Sequence, residues 1–285
     1  MAKSLCMQAW QAIGKSYERE HSTQTVQAMS SSINTFTEHI TDKYGLEKID
    51  NLKPQMIQSY FLERIENGIS ISTLTKDATA IRMICEAIDK QNICPRTNDD
   101  LGFTREADDR YNPQNVNTEK IEQIREALAE RADKTGLPEN KALLAAHDLR
   151  SEFGVRANES FMSKVVGTAD GKLSLEVLGA KGGLRRTLEP QTTGQQKALE
   201  QYRDTSREIG NAHGKLIPPD MSARQFYDYQ RNTNRSLGAT KENHAHMHCQ
   251  RHAYAQERVE RGDDRLDVSH DLGHGREEVI YHYVA

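Results

Sequence analysis

Along the first hundred residues apolar side chains recur three and four positions apart, the spacing that lays one stripe along a helix. Between Thr23 and Tyr44 the stripe is Val26, Met29, Ile33, Phe36 and Ile40, and Gly45 ends it. After Leu52 and Lys53, Pro54 opens a second helix carrying Met56, Ile57, Tyr60, Phe61 and Ile65, which Gly68 closes. A third, capped by Ser70 or Ser72, carries Leu74, Ile81, Ile84, Ala87 and Ile88 until Cys94-Pro95 stops it. With an earlier helix over roughly Ala2 to Glu18, the pattern predicts a four-helix domain over residues 1–94.

Residues 95–117 are polar, hold Pro95 and Pro113 and lack sustained periodicity, which predicts a linker with a short ordered piece around Leu101 to Phe103. The remaining residues, 118–285, open with helices over 119–132 and 141–152. The period then shortens. Residues 163–166, 173–178 and 185–188 are β-prone runs separated by the turn dipeptides Asp170-Gly171 and Gly182-Gly183, so a three-stranded antiparallel sheet is expected. Helices resume over 193–209, 223–237 and 246–260, and short helical pieces broken by Gly262 and Gly273 finish the chain. The fold expected is mainly α with one small antiparallel sheet.

Length and composition change this picture little. The 285 residues suffice for two domains with cores of their own, at roughly 150 residues per domain. No apolar run approaches the ~18 residues of a membrane span, and the first residues lack the apolar core of a secretory signal, so a cytoplasmic protein without membrane contact is expected. Cys6, Cys85, Cys94 and Cys249 are scattered, which suits reduced thiols. A net charge of -4 does not exclude a local basic face.

Candidate chemistry lies in the second half. Seven of the eleven histidines fall between His244 and His282, and His248 and His252 are four apart on one helix face, which first suggests metal. No glutamate lies between those two, however, and Arg251 beside them would repel a cation, so solvated helix histidines outweigh a metal site. Arg251 suits another use. His248, Arg251 and His252 form an HxxRH; Leu272-Gly273-His274 follows, with His274 twenty-three residues after Arg251 and Tyr283 nine residues further. Upstream, Gly154, Arg156 and Glu159 form a GxRxxE, and between the two arginines Lys181 sits in a glycine turn, Gly179-Ala180-Lys181-Gly182-Gly183.

An arginine, a lysine, a histidine, a second arginine, a second histidine and a terminal tyrosine, in that order, resemble the tyrosine recombinases, the phage and mobile-element integrases. A tyrosine can form a covalent phosphoester, forked arginines stabilise charge on the phosphate oxygens, and a lysine or histidine can move the proton. The resemblance implies a SAM-like core-binding domain over 1–94, a linker and a catalytic domain over 118–285. It implies Arg156, Lys181, His248, Arg251, His274 and Tyr283 as catalytic residues, with Glu159 supporting them and no metal or other cofactor. Tyr281 and Tyr283 are about 200° apart on a helix, so one alone can face the phosphate, and the spacing from His274 favours Tyr283. Double-stranded DNA is the expected partner, with Lys164, Lys172, Arg185, Arg186, Arg224, Arg231 and Arg235 as candidate contacts.

The sequence departs from the family pattern at Ala253-Tyr254, where serine or threonine usually precedes the aromatic, and at Gly275-Arg276, where serines usually follow. Only two residues follow Tyr283, so an exchanged tail helix is not expected; a monomer that forms tetramers on paired DNA sites is, with DNA-bending or directionality factors as further partners. A bacterial, nucleoid-associated location on binding DNA goes with that reading. The rival reading is a non-catalytic DNA-binding protein of the same fold, and a metal-dependent hydrolase built on the histidines stands third.

Overall fold

The computed structural model describes residues 4–104, 111, 113–167, 171–178 and 185–284. The chain divides into two compact units, Met1–Asp109 and Arg110–Ala285.

The first unit is helical: α1 (Leu5–Ile13), α2 (Lys15–Glu20), α3 (Thr23–Tyr44), α4 (Pro54–Glu66) and α5 (Ile71–Ala87). Its apolar stripes meet in one core, with Ile33, Phe36, Ile40, Ile57, Phe61, Ile81 and Ile84 fully buried. Ser22 and Ser70 cap α3 and α5 by accepting from Thr25 N and Thr73 N. Two expectations need correction. The single helix over 2–18 is two, because Gly14 adopts φ 83 and ends α1 with its N–H on the Trp10 carbonyl. The first part of the expected linker also packs onto this unit: Leu101 and Phe103 are buried in its core, and Arg82 Nε donates to Pro95 O at 2.9 Å. Two apolar side chains in a polar stretch are too few to set a period, yet they suffice to anchor a short segment.

The second unit contains α6 (Thr118–Thr135), α7 (Pro138–Phe153), α8 (Glu159–Met162), α9 (Thr193–Glu208), α10 (Ala223–Ser236), α11 (Cys249–Glu260) and α12 (Arg265–Asp271), with a 3₁₀ turn over Glu277–His282. Strands β1 (Lys164–Gly167), β2 (Leu173–Val177) and β3 (Arg186–Leu188) form an antiparallel sheet in the order β1-β2-β3, with Val165 opposite Leu175 and Leu175 opposite Leu188. The inward face of β2 (Leu173, Leu175, Val177) shares a core with Leu199 and Tyr202 of α9. Helix α7 is central; Ala142, Ala145, Ala146 and Leu149 are fully buried, and α6, α9 and α11 all pack on it. The last long helix starts at Cys249, later than the expected 246, after a turn in which His244 adopts φ 51. Lys181 lies outside the described residues.

Candidate active site

The site is assembled from helix ends. Helix α7 stops at Gly154, whose φ of 61 is open chiefly to glycine, and a Cβ there would lie 2.4 Å from the Tyr254 ring. The reversal sends the chain into the turn bearing Arg156 and leaves the Gly154 carbonyl facing inward. Helix α12, capped by Asp264, ends in the same manner at Leu272-Gly273, with Gly273 at φ 76. His274 N then bonds back to Ser269 O, which turns the His274 ring toward α11.

Arg251, on the first turn of α11, enters the space between these ends and is 1% exposed. Its guanidinium donates to Gly154 O at 2.8 Å and to Leu272 O, so it joins the ends of α7 and α12. The remaining bonds reach the chemistry: Nε donates to the Tyr283 hydroxyl at 3.0 Å and Nη2 to His274 Nε2 at 2.9 Å. His274 Nε2 also lies 3.2 Å from the Tyr283 hydroxyl. Because Arg251 can only donate, Nε2 is the acceptor nitrogen of a neutral His274, and its one lone pair is shared between Arg251 and the phenol O–H, whose oxygen accepts from Arg251 Nε.

Arg156 donates to Glu159 Oε1 at 2.9 Å, and its backbone N–H binds Oε2 at the same distance. Arg186, from β3, forks onto the same carboxylate at 3.0 and 3.3 Å and places Nε on Asp271 O. Burial pushes the Glu159 carboxyl up, but Arg186 and Arg156 together outweigh it and hold the group at about 2. One carboxylate thus serves two arginines while Arg251 bonds only neutral groups, so the cluster carries excess positive charge. An anion would complete it.

The histidines are held neutral. Burial, then Arg251, Arg156 and Arg186, push His274 down to about 4, and burial followed by His246 and Arg251 does the same to His252. His248 shifts in the same direction from crowding, then from His252 and Arg251, although its ring is exposed to water. The ring centroids of His252, His274 and His248 lie 4.8, 6.0 and 6.1 Å from that of Tyr283. Tyr281 points elsewhere: its hydroxyl accepts from Arg265, and its ring packs near Tyr111.

Arg156, Glu159, His248, Arg251, His274 and Tyr283 therefore share one cluster. Arg186, grouped in the sequence with candidate DNA contacts, sits instead inside it. Arg224 and Arg231 pair with Asp228 on α10, Arg235 is exposed on the same helix, Lys172 and Arg185 are exposed beside β2 and β3, and Lys164 is half-buried on β1. Sequence reasoning named His252 without giving it a role in the site and passed over Gln256. The His252 ring lies nearest that of Tyr283 among the histidines measured, tilted at 51°, and its four-residue spacing from His248 was the available signal. Gln256 Nε2 donates to Tyr283 O at 2.9 Å and Gln114 O at 3.0 Å, a role that no local pattern marks. Among the described residues no three His, Cys, Asp or Glu side chains converge as a metal site, and no helix is long and apolar enough to cross a membrane.

Comparison with known proteins agrees with this architecture. Residues 1–94 match the family described as phage integrase, N-terminal. XerH site-specific recombinase, solved in a post-cleavage complex with a palindromic difH substrate, is similar over 93% of this chain and 77% of its own at 18% identity, TM-score 0.67. A lambda integrase tetramer on a Holliday junction is similar over 100% and 78% at 15% identity, TM-score 0.62. The Tn1549 transposon integrase with transposon right end DNA is similar over 99% and 95% at 15% identity, TM-score 0.56. No curated protein sequence matches. The fold is that of the tyrosine recombinases. The phage-integrase N-terminal match covers residues 1–94 of the first unit.

Proposed function

We propose that this chain is a site-specific DNA recombinase that cuts and rejoins DNA through a covalent 3′-phosphotyrosine on Tyr283, for integration or excision of a mobile element. One observation carries the reading: Arg251 Nε and His274 Nε2 both meet the Tyr283 hydroxyl, at 3.0 and 3.2 Å. A nucleophile thus lies against a permanent cation and a neutral imidazole able to accept its proton. Tyr283 Oη attacks phosphorus as its proton passes to His274, the phosphorus–O5′ bond breaks, and the departing oxygen takes a proton from Lys181, whose role rests on its place in the motif. Arg156 and Arg251 neutralise the non-bridging oxygens, with His248 bonding beside them. Reversal by a new 5′ hydroxyl rejoins the strand.

Double-stranded DNA is the partner in this reading, supported by the DNA-bound state of the similar structures. Two DNA sites and four chains form the recombining assembly, as the lambda integrase tetramer suggests. Incubating the chain with a nicked duplex carrying the DNA that flanks its gene, followed by a denaturing gel, tests the proposal. Wild type is expected to form a covalent adduct, Tyr283→Phe none at undiminished DNA affinity, and Tyr281→Phe a normal one. Binding without an adduct would make the chain a DNA-binding protein of this fold rather than a recombinase.

A further inference from the structure

Helix α7 carries an arginine, Arg150, that the proposed chemistry leaves unused. Arg150 is fully buried, four residues before Gly154, and among the described residues no carboxylate pairs with it. Its partners are neutral: Nε donates to Gln250 Oε1 at 2.7 Å and Nη1 to Ser160 Oγ at 3.2 Å, while Nη2 has none. A buried guanidinium without a direct ion-pair partner, with Asp148 acting on it only beyond contact distance, is among the costlier groups a fold can contain, so packing alone does not account for it.

Its two partners show what it does. Gln250 immediately precedes Arg251, and its amide also donates to His147 O at 3.1 Å and Ser151 Oγ at 2.8 Å, which fixes the first turn of α11 to α7. Ser160 immediately follows Glu159, the carboxylate that holds Arg156 and Arg186. Gln230 of α10 reaches the same Ser160 hydroxyl at 3.5 Å. One rigid fork therefore ties the Arg251 arm of the site to the Arg156 arm from behind.

We propose that Arg150 is a positioning residue for strand cleavage: its guanidinium sets the spacing between α11 and α8, so that Arg251 and Arg156 meet one phosphate together. The inference rests on the recombinase reading above. Arg150 is 0% exposed and bonds only to Gln250 and Ser160, so direct DNA affinity is not its task. Misplacing a catalytic group by about 1 Å costs on the order of 10²-fold, which sets the scale expected.

The test measures single-turnover adduct formation at saturating nicked duplex from the flanking DNA, beside the DNA dissociation constant and the melting temperature. Arg150→Gln, which removes the charge and the fork but retains an amide, is expected to bind DNA within about twofold of wild type and to form adduct about 10- to 100-fold more slowly. Arg150→Lys, which keeps the charge without the fork, is expected to remain slow. Ser160→Ala cuts only the α8 end of the tie and serves if the Arg150 variants do not fold; a loss of about 3- to 10-fold at unchanged affinity is expected. A role in stability alone predicts the reverse, a lower melting temperature with folded protein cleaving at the wild-type rate, and that result would overturn the inference. A wild-type chain that binds DNA without an adduct overturns the recombinase reading and this inference with it, whereas variants that match an active wild type overturn this inference alone.

Discussion

The two units bury different kinds of side chain. In the first, the core is aliphatic and aromatic, and the buried charge among the described residues is Asp77, satisfied by Arg64 at 3.0 Å and Tyr60 at 3.0 Å. In the second, Asp148, Arg150, Glu159, Arg251, His252 and Arg258 are all buried, beside a conventional apolar core. Apolar burial stabilises by area and tolerates small shifts, whereas buried charge is useful only where partners meet at hydrogen-bond distance. The first unit has the composition of a scaffold; the second gathers Glu159 and Arg251 in the candidate site and pairs Asp148 with Arg125 and Arg258 with Asp263 and Asp271 away from it.

The largest expected effect falls on the charged side of that contrast. Arg251→Ala should slow adduct formation by about 10³-fold or more, because it removes a transition-state donor, and should also leave Gly154 O and Leu272 O unpaired, at about 1–3 kcal/mol each in chemical denaturation. Retention of near-wild-type cleavage would remove Arg251 from the site. In the first unit Phe36→Ala should cost about 3–5 kcal/mol of stability, a pure packing loss whose folded fraction keeps the second unit's chemistry. If the two variants lose activity and stability in the same proportion, the contrast fails.

Acid should separate the units next. His274 and His252 hold pKa values near 4 in the folded chain against about 6.5 unfolded, so the unfolded chain binds more protons between those values and stability falls as pH drops through that window. Glu159, at about 2, adds stability that is present above its unfolded value and is lost as pH falls toward 2. In the first unit His39 is also shifted down, chiefly by burial, and contributes one such group. Hydrogen exchange from pH 7 to 4 is therefore expected to show the second unit opening first, with His274→Asn flattening its dependence. Equal acid sensitivity of the two units would contradict the assignment.

The smallest effect concerns glycine. Gly154 and Gly136 both end helices at φ near 60, but an added Cβ at Gly154 meets the Tyr254 ring and one at Gly136 meets nothing within 4 Å. Gly136→Ala should cost about 1 kcal/mol, the backbone penalty alone, and Gly154→Ala clearly more, measured as a shift in denaturation midpoint. Equal losses would mean that the α7 end yields easily and is a poor anchor for Arg251.

Most of the fold was legible because its signals are local. The stripe Met29, Ile33, Phe36 and Ile40 defines a buried helix face without reference to anything distant, and the three β-prone runs stand out by their own short period. Gly14 illustrates the limit: nothing nearby distinguishes a tolerated helical glycine from one that adopts positive φ, and it broke the expected helix. The catalytic candidates were legible as ordered boxes, and Arg156, His248, Arg251, His274 and Tyr283 meet in space.

The sequence by itself determined the helical periods, the three-stranded sheet, and which residue types stand available for phosphate chemistry and in what order. The tertiary structure alone decided their partners: that Arg186 leaves the exposed cations to share Glu159, that the His252 ring, among the histidines measured, lies nearest that of Tyr283, and that Gln256 holds the Tyr283 carbonyl. The reason is range. A helix period repeats every few residues and is written in neighbours, whereas Arg150 finds Gln250 a hundred residues away, and no local pattern records which buried charge meets which partner.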